Sequence, residues 1–145
     1  MSSVRTDIVA GFTTMMAAYI AAHPTLVTRH FRMDPESAKD IPYTYLDLRP
    51  EAIGFEVGLR TRVISPTLIL VGRPTEAGQV ADTFDQTVDS LVDFIGDYGG
   101  AFGGHITNNS VWSRMTVTDA IEEIGQSRFP AARFSFPDLE VSEGR

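Results

Sequence analysis

The chain contains no cysteine. Disulfides and thiolate chemistry are therefore excluded, and any zinc site would have to be built from histidine and carboxylates alone. Positive charge is also scarce: 12 Lys and Arg stand against 19 Asp and Glu, a formal net charge of −7. A nucleic-acid clamp draws its affinity from a clustered excess of Lys and Arg, so this balance argues against one. No apolar run approaches the roughly 18 residues of a membrane span. The three histidines, His23, His30 and His105, make no i, i+4 pair with one another, which leaves no two-histidine helical signal for a metal site. There is no Gly-x-Ser-x-Gly elbow, and no pair of carboxylates stands out for general acid–base work. Asn108-Asn109-Ser110 fits a glycosylation sequon, which matters only in a secreted chain.

What remains is ordinary for a folded domain. A length of 145 residues suits one domain with a real core, and 43% hydrophobic and 21% charged residues are unexceptional. Residues 1–136 read as a single α+β domain, and 137–145 as a flexible acidic tail. The N-terminus resembles a signal peptide in having Arg5 before an Ile8 to Ala22 stretch. Asp7, Thr13 and Thr14 interrupt that stretch, and its amphipathic pattern favours a helix of a protein that is cytosolic when made.

Periodicity supplies the elements. Ile8, Phe12, Met15 and Tyr19 share one helical face, widened by Val9, Met16 and Ile20, which predicts a helix from Val4 to Ala22 closed by Pro24. Thr25 to Phe31 alternates weakly and reads as a strand. A polar, turn-prone segment follows, broken by Asp34-Pro35 and Ile41-Pro42. Tyr43 to Arg49 alternates clearly. Phe55 to Val71 reads as one long strand bent near Pro66, or as two strands meeting there. Val111 to Ile124 and Ala132 to Phe136 supply the last two strands, separated by a turn at Gly125-Gln126-Ser127.

The most informative stretch is Ala77 to Tyr98. Phe84, Val88, Leu91, Val92 and Ile95 gather on one arc of a helix whose secure part is Val80 to Ile95. The opposite arc carries Asp82, Asp85, Asp89, Asp93 and Asp97 with no Lys or Arg among them. Like charges at this spacing are mildly destabilising. A solvated face accounts for them, and so does a face that repels or matches something. Gly99, Gly100, Gly103 and Gly104 then form a loop that leaves a helix and lacks Lys, unlike a phosphate-binding loop. It reads as a flexible connection. Trp112 reads as a core anchor rather than a ligand platform. Tyr43, Tyr45, Arg60 and Arg62 interleave aromatics with cations. Such a set can stack single-stranded nucleic acid or form a subunit interface, and the net charge favours the interface.

The order of elements resembles the tail-terminator, or tail-completion, proteins of bacteriophages with long non-contractile tails. The resemblance is carried by the opening helix, the Ile41-Pro42-Tyr43-Thr44-Tyr45-Leu46 approach to a strand and the long strand Arg60 to Val71. The helix Glu76 to Tyr98, Trp112 ahead of alternating Thr and Val, and the aromatic strand Ala132 to Phe136 complete it. It covers most of the chain as a pattern of order and length. It implies an antiparallel (mixed) β-sheet of four to five strands with two amphipathic helices packed on one face. It implies a homo-hexameric ring in the virion, assembled in the bacterial cytoplasm, that caps the head-proximal end of the tail tube and stops its growth. The tail tube protein and a head-completion or neck protein would be its partners, and DNA would pass through without specific binding. No membrane, cofactor, metal or catalytic residue is implied. A related neck or head–tail joining protein, and a small α+β enzyme or ligand-binding domain with a pocket near Trp112 and the tyrosines, are the alternatives.

Overall fold

The computed structural model describes residues 4–48, 51–56, 59–64, 66–73, 80–98, 115–136 and 139–144. Helix α1 spans Val4–Ala22, and three strands follow: β1 (Arg29–Phe31), β2 (Tyr43–Asp47) and β3 (Glu51–Glu56). Then come β4 (Leu59–Ile64), β5 (Thr67–Val71), helix α2 (Val80–Asp97), β6 (Thr116–Ile124), β7 (Ser127–Ser135) and β8 (Leu139–Gly144). The fold is α+β, with a five-stranded mixed sheet in the order β1-β2-β5-β7-β6 and a three-stranded sheet in the order β3-β4-β8. In the larger sheet β1 runs parallel to β2, and the other pairings are antiparallel.

Both helices lie on one face of the larger sheet. Ile8, Phe12, Met15, Met16 and Tyr19 of α1 and Leu91 and Ile95 of α2 are buried against Leu46, Leu68, Leu70, Ala132 and Phe134. The spacing of these helical residues is that of one apolar stripe, which is why these segments dock as helices. Phe12 meets Phe136 edge-on, with ring centroids 5.4 Å apart. Tyr19 joins the helices to each other: its ring meets Phe94 at 5.2 Å and its hydroxyl donates to Ser90 Oγ at 3.1 Å. The buried Thr87 satisfies its own hydroxyl by donating to the Thr83 carbonyl at 2.9 Å.

α2 is held close to the end of β5. Gly72 is buried, and a Cβ placed there would stand 2.5 Å from Cδ1 of Phe84. Only glycine lets the half-buried Phe84 ring seat against the backbone at that point. Towards the same end of the sheet Gly125, with φ of 62°, occupies the two-residue turn between the paired residues Ile124 and Ser127. It is the first central position of a primed hairpin turn, where glycine is favoured.

Several expectations need correction. The segment Phe55 to Val71, read as one long strand or as two meeting near Pro66, is parted at Pro66 as the second reading had it, but its first residues belong to a further strand, β3. β3 and β4 form a hairpin that pairs Glu56 with Leu59, and β5 starts anew after Pro66 in the other sheet. Val57-Gly58 stands between the paired ends, and a glycine between two alternating runs is a hairpin signal that the strand reading passed over. The segment read as a loose acidic tail contains β8, whose residues pair with β4 from Leu59↔Gly144 to Ile64↔Leu139. Unpaired backbone on an edge strand is a strong enough template to recruit a segment with no core-forming side-chain pattern. The first strand is shorter than expected, Arg29–Phe31 rather than Thr25 to Phe31. The Gly99–Gly104 loop and Trp112 lie outside the described residues.

Leu91→Ala removes a fully buried side chain from between α2 and the sheet and should cost about 2–5 kcal/mol in thermal or urea melts. Gly72→Ala should cost about 1–3 kcal/mol by displacing Phe84. Unchanged melting of both variants would show that α2 is seated otherwise.

Candidate functional site

The face of the larger sheet turned away from the helices is not a solvated surface. Its register places Phe31, Tyr45, Ile69, Arg133 and Thr118 in one row across the five strands, and Arg29, Tyr43, Val71, Ala131 and Ala120 in the next. Tyr43, Tyr45, Ile69, Val71, Phe129 and Ala131 form a second buried cluster, with Phe31, Ile41, Ala120 and Ile124 at its margin. Residues from both edge strands, β1 and β6, thus meet one cluster. The segment between β1 and β2 contributes Ile41.

A polar group sits at the rim of this cluster. The Tyr45 hydroxyl donates to Glu122 Oε1 at 3.1 Å. β2 and β6 are three strands apart, about 14 Å across a flat sheet, so this bond needs the reach of both side chains and the coiling of the sheet. Asp34 lies close enough for its charge to act on the same carboxyl. Asp34 is itself set by a turn in which its Oδ1 accepts the Glu36 N–H at 2.9 Å.

Burial pushes the Glu122 carboxyl above its ordinary range. The bond from Tyr45 and the charge of Arg133 act the other way. The Tyr45 phenol is raised by burial and by the neighbouring Glu122 charge. The Tyr43 phenol is pushed up to about 12, by burial first and then by Asp34 and Glu122. The Tyr43 hydroxyl is buried with no hydrogen-bond partner among the described residues. The site is built to keep phenols protonated, which suits holding a loop down better than proton transfer near neutral pH.

A cleft of about 380 Å³ opens beside it, between the start of α1 (Arg5, Val9), Arg32-Met33-Asp34 and the end of β2 (Tyr45 to Leu48). Its lining mixes cations and carboxylates. Among the described residues no group of three His, Asp or Glu side chains is placed to hold a metal ion.

The four residues expected to share a subunit interface do not share a sheet. Tyr43 and Tyr45 are 0% and 9% exposed and belong to the larger sheet, whereas Arg60 and Arg62 are on β4 of the smaller one. The tyrosines alternate correctly with Thr44 and Leu46, but the face they occupy is roofed within the monomer, and no periodicity argument reveals a roof. The acidic arc stands as expected where it is described: Asp85, Asp89, Asp93 and Asp97 are exposed along α2, and Asp82 belongs to the same helix. The closeness of Asp34 to Glu122 was not legible beforehand. Asp34-Pro35 signals a turn, and nothing local links it to a residue 88 positions away.

His30 is a further sensitive group. Its Nδ1 shares a hydrogen bond with Thr44 Oγ1 at 2.8 Å, and Nε2 is buried with no partner among the described residues. Burial lowers its pKa from 6.5 to about 4. Between those values the unfolded chain binds the proton and the folded one does not. His30 therefore contributes stability that is complete above pH 6.5 and is lost as pH falls towards 4. Glu122, shifted upward, acts in the opposite sense. Acid titration of the melting temperature should show a loss of up to about 3 kcal/mol from His30, and the slope should flatten in His30→Asn. A slope unchanged in that variant would assign the acid sensitivity elsewhere. Tyr45→Phe should cost about 1–2 kcal/mol, less in a Glu122→Gln background because the two groups share one bond. No protein-family model and no curated protein sequence matches the chain, so its role is read from its own residues and geometry.

Proposed function

We propose that the chain is a structural subunit of a bacteriophage virion. In this reading it is a tail terminator whose copies form a ring on the head-proximal end of the tail tube, stop tube elongation and present a surface to head-completion proteins. The observation that carries the reading is the one-sided architecture. Two amphipathic helices cover a single face of a mixed sheet in the order helix, strand, loop, strands, helix, strands. This is the arrangement implied by the resemblance of the sequence to tail-terminator proteins. The exposed aspartates of α2 supply a uniformly negative strip. On a ring such a strip repels the phosphates of passing DNA or docks on a basic neighbour.

The Tyr45–Glu122 bond fits the same reading, because it joins two strands across the sheet and fixes a surface. No described helix is long and apolar enough to cross a membrane, and the reading asks for none. A neck protein of similar fold would share these features, and the decisive experiment separates the two. Purified protein added to growing tail tubes should arrest elongation at a defined length and appear as a ring at one end in electron micrographs. Tubes that grow on unchanged would overturn the terminator reading.

A further inference from the structure

We draw no further inference here: the strongest candidate, the exposed patch of Val117, Asp119, Ile121 and Glu123 on the helix side of the outer strand β6, carries none because nothing in the structure shows what covers it.

Discussion

Strand β5 is buried on both sides, and the architecture follows from that. Leu68 and Leu70 point to the helices while Ile69 and Val71 point to the second cluster. A strand with four consecutive apolar residues cannot leave either face to water, so each face needs its own cover. The helices cover one. The other must be closed by whatever the chain can bring to it, and it uses the tyrosines of β2, Phe129 of β7 and the segment between β1 and β2. Pro66 stands at the boundary: just before it the chain belongs to the smaller sheet, and just after it enters the centre of the larger one.

The polar cluster is a consequence of that second cover. A roof made of phenol rings brings hydroxyls with it, and a buried hydroxyl needs a partner. Tyr45 finds Glu122, whose carboxyl also feels the charge of Asp34. Tyr43 finds none among the described residues. The Tyr45–Glu122 bond ties β2 to the far outer strand, and the loop after β1, which carries Asp34, borders the cleft beside α1.

A surface role suits this construction. Among the described residues the exposed features include an acidic strip on α2 and an outer strand, β6, that carries apolar and acidic side chains together.

How much of this was legible in the sequence depended on the range of the interaction. Helix α1 was readable to its ends, because a 3.6-residue stripe and the following Pro24 are local facts, and the buried side of α2 was readable for the same reason. The inward alternation of Tyr43 to Leu46 and the Gly125 turn were local too. The partition of the strands into two sheets, the recruitment of β8 onto β4 and the meeting of Asp34 with Glu122 were not. Alternation says that a strand has two faces; it does not say which strand lies beside it or what lies above it. The sequence by itself determined which residues turn inward along each element. Only the tertiary structure decided that the tyrosine face is roofed and which strands end the sheet, because those outcomes depend on backbone pairing between distant segments, whose hydrogen bonds carry no side-chain signature.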